Sequence, residues 1–431
     1  MSGFVCRVEL RRVAVAAALT ASVALAWGTS AAQAAVFAYV MNGASAPNAA
    51  ISEYIAGSNG ALNPLVPPYL GPPSDGLFVP TSTWRGKDVY VTSFTGNRIY
   101  QYNAATDGVL TPKSPPTIDV DGDATAGIVV DPDDRYAYAF VYSADPAKNG
   151  IVQFSIGSDG TLTQVGQVLT TNEVSTVLKI SPDGKSLYSL VGATAGYIEQ
   201  FDIGAGGAVS PKSQATVSAG FKPSSMAISP NGKYAYSNND NSPFLFQWVV
   251  NADGTLSPNT TPTVVVPGVP ATIAISPDGS SLYGTDFAHD AVEQFTIAAD
   301  GTLTPKSPTS VAVNGSVPIG LAISYDGLYA YVTNTLSDTV EQRAISTDGV
   351  LSTMGTTTPT GGQPNIILVT DSERPRPPGP TPTPTPAPTP APVCPKITAR
   401  SQPPKKRRHR PRTGTWAPGV RLVVKTSSAA N

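Results

Sequence analysis

The sequence predicts an all-β fold, a seven-bladed β-propeller of four-stranded antiparallel blades. A segment of the type VEQFTIAADGTL recurs seven times, and each later copy follows a segment of the type AISPDGSSLYGT. The chain has 431 residues, of which 39 are glycine, 42 are proline and only 13% are charged. This composition is typical of many short strands joined by turns rather than of long helices.

A hairpin ends each repeat and sets its period. An alternating strand is followed by an Asp-Gly or similar turn, whose glycine supplies the positive φ that a tight turn requires, and then by a second strand. The turn glycines, spaced 47 to 52 residues apart, are Gly60, Gly108, Gly160, Gly207, Gly254, Gly301 and Gly349. A residue of the first hairpin strand keeps the same register: Glu53, Gln101, Gln153, Gln200, Gln247, Gln294 and Gln342.

An upstream pair of strands completes each unit. In 224–238, 271–285 and 319–333 an apolar strand is reversed by a turn such as Pro-Asp-Gly and returns as an alternating strand. Four strands in a unit of roughly 47 residues indicate a propeller blade rather than a solenoid coil.

The two ends of the repeat region predict how the ring closes. The first copy begins at 36–42, VFAYVMN, with no strand before it, and the last copy is followed by a lone strand, PNIILVT, at 364–370. We expect this C-terminal strand to become the innermost strand of the N-terminal blade. Hydrogen bonds between the two ends would then close the ring.

Residues 1–34 resemble a secretory signal peptide. Basic residues up to Arg12 precede an apolar run at 13–27, and the triplet AQA at 32–34 suits a cleavage site. The apolar run is short for a transmembrane helix. We expect a mature chain that begins near Ala35, is secreted or associated with the cell envelope, and has no transmembrane span; a retained membrane anchor is the alternative.

Residues 374–431 differ sharply in charge from the predicted propeller domain at 35–373. The domain carries 13 basic and 29 acidic residues, a net charge of −16, whereas the tail carries 12 basic residues and no acidic ones. We expect a Pro/Thr-rich linker and a disordered basic tail that contacts anionic cell-envelope polymers or stays passive. The secretory signal argues against a nucleic-acid partner. Once Cys6 is removed with the signal, Cys394 has no partner for an intramolecular disulfide.

The segments YVTN at 331–334 and YVTS at 90–93, with ISPDG upstream of other copies, resemble the YVTN/lactonase-like seven-bladed β-propeller family over about residues 36–372. The resemblance implies a propeller and, in its 6-phosphogluconolactonase-like and muconate-lactonising relatives, lactone chemistry. It also implies a histidine after the proline that opens an innermost strand, and an arginine after a loop asparagine. The residues at the histidine places here are Ser224, Ala271, Ile319 and Asn365. Asn334 is followed by Thr335, so Asn97-Arg98 is the nearest match to the arginine motif.

Chain direction predicts on which face of the propeller a ligand site would lie. If the strands of a blade are called a to d from the axis outward, the short a–b and c–d turns share one face. The b–c loops and the d–a connections share the other, which we call the loop face. Because these connections are longer and more varied, we expect the ligand site there.

His289 is the only histidine outside the basic tail, and it lies on a predicted b–c loop. The equivalent places in the seven copies hold Asn48, Gly96, Lys148, Ala195, Ser242, His289 and Ser337, so the blade does not require a histidine. It is either a site residue that acts together with its flanking carboxylates, or ordinary surface variation. The candidate catalytic residues are His289 and Arg98. The candidate ligand-binding residues are Asn97, Asp286, Asp290, Asn334 and Asp338.

A metal site is a further hypothesis. The segment DVDGD places Asp119, Asp121 and Asp123 at alternate positions of a d–a connection, a pattern that suits Ca²⁺. The segment lacks the distal glutamate of a complete calcium loop, and a solvated acidic loop is the alternative reading. No other cofactor is expected.

Three functions remain compatible with these observations. The first is a monomeric binding or surface-interaction module for a small molecule or an envelope polymer. The second is a lactone hydrolase with a divergent site on the loop face, and the third is a structural surface repeat protein.

Overall fold

The computed structural model describes residues 35–43, 51–70, 77–93, 95–145, 148–169, 175–192, 195–240 and 242–371. The predicted signal at 1–34, the predicted tail at 374–431 and both cysteines lie outside these residues. The described chain forms 28 strands and one short 3-10 turn, Ala205–Gly207. The strands make seven four-stranded antiparallel sheets, which confirms the predicted propeller of seven blades.

The strands of the first three blades follow one another along the chain. Blade 1 contains β1 (Val36–Asn42), β2 (Ile51–Ala56) and β3 (Leu62–Leu70). Blade 2 contains β4 (Leu77–Ser82), β5 (Asp88–Ser93), β6 (Arg98–Ala104) and β7 (Leu110–Asp119). Blade 3 contains β8 (Ala124–Val130), β9 (Tyr136–Tyr142), β10 (Gly150–Ile156) and β11 (Leu162–Leu169).

The remaining strands form blades 4 to 7 and complete blade 1. Blade 4 contains β12 (Ser175–Ile180), β13 (Ser186–Val191), β14 (Gly196–Ile203) and β15 (Val209–Gly220). Blade 5 contains β16 (Pro223–Ile228), β17 (Tyr234–Asn239), β18 (Phe244–Val250) and β19 (Leu256–Val265). Blade 6 contains β20 (Pro270–Ile275), β21 (Ser281–Asp286), β22 (Ala291–Ile297) and β23 (Leu303–Ala312). Blade 7 contains β24 (Pro318–Ile323), β25 (Tyr329–Asn334), β26 (Thr339–Ile345) and β27 (Leu351–Pro359), and β28 (Pro364–Asp371) belongs to blade 1.

The ring closes as the sequence predicts. Strand β28 pairs antiparallel with β1, from Val36 opposite Asp371 to Met41 opposite Ile366. The seven a strands contact one another in a closed cycle, in the order β28, β4, β8, β12, β16, β20, β24 and back to β28. The propeller axis therefore runs through the space that these strands enclose. No helix in the described part of the chain is long and apolar enough to cross a membrane.

A tyrosine in strand b joins each of six blades to the next. Its hydroxyl donates a hydrogen bond of 2.7–2.8 Å to the carbonyl of the following blade's turn glycine. The pairs are Tyr39 with Gly108, Tyr90 with Gly160, Tyr138 with Gly207, Tyr188 with Gly254, Tyr236 with Gly301 and Tyr283 with Gly349. The seventh tyrosine, Tyr331, lies at the junction of blades 7 and 1, and its buried hydroxyl has no hydrogen-bond partner in the described structure.

The register glutamine of strand c makes a second link between blades, which explains its repetition. It lies opposite the tyrosine of its blade, and in four blades its side-chain oxygen accepts a backbone N–H at the start of the next blade's strand d. The pairs, at 2.6–2.8 Å, are Gln101 with Leu162, Gln200 with Leu256, Gln247 with Leu303 and Gln294 with Leu351. Glu53, which replaces glutamine in blade 1, accepts the N–H of Leu110 at 3.0 Å.

The hydrophobic core consists of layers between blades. Seven clusters of buried apolar side chains occur in the described chain, and each combines residues of two adjacent blades. In the cluster between blades 7 and 1, Ile367 of the closing strand packs with Tyr331 and Val340. Closure therefore buries apolar surface as well as pairing strand ends.

The turn glycines make close packing between blades possible. Gly108 has a φ of 86°, and a Cβ added to it would collide with the ring of Phe37 in blade 1. Only glycine combines this left-handed backbone with such a close approach.

Candidate functional site

The candidate site is built on the b–c loop of blade 6, between Asp286 at the end of β21 and Ala291 at the start of β22. Asp286 accepts hydrogen bonds through Oδ1 from the backbone N–H groups of Ala288, at 3.0 Å, and His289, at 3.3 Å. The carboxylate therefore holds the loop in a tight turn and fixes the backbone from which His289 projects.

Asp286 stands where three other blades carry asparagine. Asn42, Asn239 and Asn334 end strand b and pair with the proline that opens strand a, and Asp286 pairs with Pro270 in the same way. Asn239 donates its side-chain amide to the carbonyl of Ala219, near the end of strand d of blade 4. The propeller is thus compatible with asparagine here, so blade 6 has a carboxylate that the fold does not require.

His289 and Asp286 form a hydrogen-bonded pair. Nδ1 of His289 lies 2.6 Å from Oδ2 of Asp286, and the side chains are 63% and 1% exposed, respectively. Because a carboxylate only accepts hydrogen bonds, Nδ1 is the protonated nitrogen of the neutral ring. Nε2 is then unprotonated and able to accept a proton. The pair has the carboxylate–histidine arrangement of a general base with its orienting group.

Glu293 is a titratable residue next to this pair that the sequence interpretation did not identify. It is fully buried on β22, its Oε1 accepts the N–H of Gly268 at 2.7 Å, and its Oε2 has no hydrogen-bond partner in the described structure. Burial raises the pKa of Glu293 to about 7; the hydrogen bond from Gly268 opposes this rise, and the charge of Asp286 adds to it.

A signal for Glu293 was present in the sequence. Alternation along a strand places Glu293 and Gln294 on opposite faces of β22, so the repeat that explains the glutamine cannot explain the glutamate. The equivalent places in blades 4 and 7 also hold glutamate, Glu199 and Glu341, whereas those in blades 2, 3 and 5 hold Tyr100, Val152 and Phe246.

The structure does not bring the second candidate catalytic residue, Arg98, to His289. Arg98 begins β6 in blade 2, three blades from blade 6, and its Nε lies 3.8 Å from Oδ1 of Asp119 in the same blade. The neighbouring Asn97 pairs with the connection that follows: its carbonyl accepts the N–H of Val120 at 2.7 Å. These residues belong to the loop face but not to the surroundings of His289.

The other candidate ligand-binding residues hold loops together. Oδ1 of Asp290 accepts the N–H of Val317 at 2.7 Å, and Oδ1 of Asp338 accepts the N–H of Gln363 at 2.6 Å. Both aspartates have positive φ, and each ties a b–c loop to the following d–a connection. Asn334 is fully buried and donates to Oγ1 of Thr339 at 3.3 Å. The observed contacts of all three residues are structural.

The three aspartates of the calcium hypothesis have separate partners. Asp119 is near Arg98, Asp121 lies 2.6 Å from Nζ of Lys148, and Asp123 accepts the N–H of Ala144 at 2.6 Å. The hydrogen bond from Ala144 is the main cause that lowers the pKa of Asp123. Across the described ranges no group of three or more His, Cys, Asp or Glu side chains is arranged to hold a metal ion. The calcium site therefore stays a prediction.

Comparison with known families agrees with this architecture. The family model described as "Lactonase, 7-bladed beta-propeller" matches residues 88–208 and 194–369. None of the curated protein sequences matches the chain.

Several solved structures share the fold at low sequence identity. A Bacteroides fragilis protein proposed to be a 6-phosphogluconolactonase has a TM-score of 0.67 and 19% identity, over 79% of this chain and 99% of that chain. The periplasmic gluconolactonase of Pseudomonas aeruginosa has a TM-score of 0.65 and 18% identity, over 78% of this chain and 99% of that one. A Lactobacillus plantarum protein has a TM-score of 0.65 and 17% identity, over 78% of this chain and 99% of that chain. At these identities the likeness concerns the fold alone.

Proposed function

Because the chain belongs to the lactonase family of seven-bladed β-propellers, we propose that it hydrolyses lactones at the loop face of blade 6. His289 acts as the general base, and Asp286 is the residue that positions it. The single observation that carries the proposal is the 2.6 Å contact between Nδ1 of the exposed histidine and Oδ2 of the buried carboxylate.

The proposed reaction uses the free nitrogen of His289. Nε2 takes a proton from a water molecule as the water oxygen attacks the lactone carbonyl, and a tetrahedral oxyanion forms. The ring C–O bond then breaks, and the leaving alkoxide takes the proton from the imidazolium. The product is the open hydroxy acid, and the histidine returns to its neutral form. A positioned base of this kind contributes about 100-fold or more to the rate.

Asp286 and Glu293 favour the charged intermediate of this cycle. The buried Asp286 carboxylate keeps its hydrogen bond to Nδ1 and stabilises the positive ring electrostatically. Glu293 becomes negative above a pKa of about 7 and interacts electrostatically with His289. Both carboxylates therefore act through the histidine and need no contact with the lactone.

The names of the structural relatives suggest the substrate class. Two of them are described as gluconolactonases or 6-phosphogluconolactonases, so we propose a lactone of a sugar acid as the substrate. The identity to these proteins is below 20%, so phosphorylated and unphosphorylated lactones both belong in the test.

A second candidate is binding of such a ligand without turnover. The observation that favours it is the position of Arg98 on blade 2, which blades 7 and 1 separate from His289 on blade 6, so the developing oxyanion lacks that cation. In this case the loop face is the surface-interaction module expected from the sequence. We also propose, from the sequence alone, that residues 1–34 direct export and that the basic tail at 374–431 contacts anionic envelope polymers.

A panel of γ- and δ-lactones, including phosphorylated and unphosphorylated sugar lactones, tests the proposal through the acid released on ring opening. We expect wild-type protein to open at least one lactone faster than buffer. His289→Gln should lose at least about 100-fold in kcat/KM. Ser242→Ala, at the equivalent place in blade 5, is the matched control and should retain the wild-type rate.

Two further outcomes separate the candidates. Asp286→Asn keeps the size of the side chain, lowers kcat and alters the pH–rate profile, because the ring loses the carboxylate that stabilises its charged form. Failure of the wild-type protein to open any lactone, together with saturable binding of a sugar lactone or its acid, would exclude hydrolysis and favour the binding role.

A further inference from the structure

One lysine lies on an innermost strand of the propeller, next to the space along its axis. Lys179, on strand a of blade 4, pairs with Tyr188 of strand b. The residues at the same place in the other blades each pair with the corresponding tyrosine and are half-buried: Leu368, Thr81, Val129, Ala227, Ala274 and Ala322. Lys179 is half-buried as well, and its side chain is much longer than the methyl groups of the alanines at this place in blades 5, 6 and 7.

The ammonium group of Lys179 has no hydrogen bond or ion pair with the residues that the structure describes. Burial lowers the pKa of Lys179. The described a strands carry one other charged residue, Asp371, which lies three residues beyond this level on β28 and pairs with Val36 of β1. Tyr188, opposite the lysine, is already bonded to the carbonyl of Gly254.

Two other buried lysines show how this propeller normally accommodates the charge. Lys113 lies 2.7 Å from Oδ1 of Asp88 and also donates to the carbonyl of Asp159 at 2.7 Å. Lys212 pairs with Asp202 and donates to the carbonyl of Asp253 at 2.7 Å. Both link neighbouring blades, and both ammonium groups are paired with a carboxylate. Lys179 has no such role, although removal of an ammonium from bulk water is costly unless the charge is compensated.

We propose that Lys179 forms an anion-binding site in the axial space of the propeller, for one small monovalent anion of the chloride or carboxylate type. A single ammonium group balances a single negative charge, and the surrounding places hold one hydroxyl, Thr81, and otherwise apolar side chains. The short side chains of Ala227, Ala274 and Ala322 at this level favour a small anion, and a multiply charged one would leave charge uncompensated.

This site is separate from the one proposed for hydrolysis. Strand a of each blade starts at the loop face, where Pro270 pairs with Asp286, and Lys179 is the fifth of the six residues of its strand. The lysine therefore lies toward the opposite end of the axis from His289. Anion binding at Lys179 is therefore independent of lactone hydrolysis and is tested by a binding measurement.

The test is the broadening of the ³⁵Cl nuclear magnetic resonance of chloride by the folded protein at neutral pH. We expect wild-type protein to broaden the line and sodium formate to reverse the effect by competition. Lys179→Met, which keeps the length of the side chain and removes the charge, should lose most of the broadening. Lys185→Met removes an exposed lysine of the same blade and should retain it.

A second measurement needs no variant. Since burial lowers the pKa of Lys179, chloride broadening by wild-type protein should disappear as the pH rises, before exposed lysines titrate near pH 10.5. Unchanged broadening in Lys179→Met, no broadening by the wild-type protein, or broadening that disappears only with the exposed lysines would each overturn the proposal. If chloride binds and formate does not compete, the site takes halide and the carboxylate part of the proposal is wrong.

Discussion

Replacement of Glu53 by glutamine should stabilise the propeller above neutral pH. Glu53 occupies the place of the register glutamine in blade 1, is 2% exposed, and accepts the N–H of Leu110 at 3.0 Å. Burial, aided by the charge of Asp107 and opposed by the hydrogen bond from Leu110, raises the pKa of Glu53 from 4.5 to about 7. Glutamine keeps the accepting oxygen and removes the buried charge.

The magnitude follows from this pKa shift. Between pH 4.5 and 7 the folded protein holds a proton that the unfolded chain has released, so the free energy of unfolding falls as the pH rises through this window and is level above it. A shift of roughly 2.5 units at 1.36 kcal/mol per unit corresponds to about 3 kcal/mol at pH 8.5. The new amide can donate to strand d, as Gln200 does to the carbonyl of Gln214 at 2.9 Å, and this adds about 1 kcal/mol at any pH.

Urea unfolding at pH 4 and pH 8.5 measures both contributions. We expect Glu53→Gln to exceed wild type by about 4 kcal/mol at pH 8.5 and by about 1 kcal/mol at pH 4. The reverse change, Gln247→Glu in blade 5, is the matched control and should destabilise more at pH 8.5 than at pH 4. Equal effects of Glu53→Gln at the two pH values would refute the assignment of a raised pKa to this carboxyl group.

Two other predictions concern how the blades are joined. Tyr90→Phe should lower the free energy of unfolding by about 1 kcal/mol, because it leaves the carbonyl of Gly160 without its donor. Tyr331→Phe should leave the free energy of unfolding unchanged, because that hydroxyl has no hydrogen-bond partner in the described structure. Equal losses for the two variants in urea unfolding would contradict the difference between these junctions. Deletion of 364–372 should abolish cooperative thermal unfolding, because it removes the inner strand of blade 1. Truncation from 376 should leave the melting temperature unchanged. Calorimetry measures both, and equal effects of the two deletions would contradict closure through β28.

The architecture could be predicted because the repeats fix the register of every blade. Seven turn glycines at nearly constant spacing indicated seven hairpins, and the unmatched strands at the two ends indicated how the ring closes. The repeated glutamine could be recognised as architecture before its contact was known. That contact is a hydrogen bond to the next blade, and a single repeat considered alone does not show it.

The candidate site was only partly predictable because it depends on departures from the repeat. The sequence showed that His289 is unique in its column and that Asp286 is close to it. It did not show that a strand end and a tight turn bring the Asp286 carboxylate to Nδ1 rather than leaving it in solvent. Glu293 lies beside a conspicuous motif residue and was overlooked. Arg98 was included because of a dipeptide match, but blades 7 and 1 separate it from the histidine.

The most direct test of the account is the kcat/KM of wild-type protein and of His289→Gln on the sugar lactone that the wild-type protein opens fastest, corrected for hydrolysis in buffer. We expect a loss of at least about 100-fold in the variant, with thermal unfolding unchanged because the imidazole is largely exposed. Equal rates for the two folded proteins would contradict the assignment of His289 as the general base.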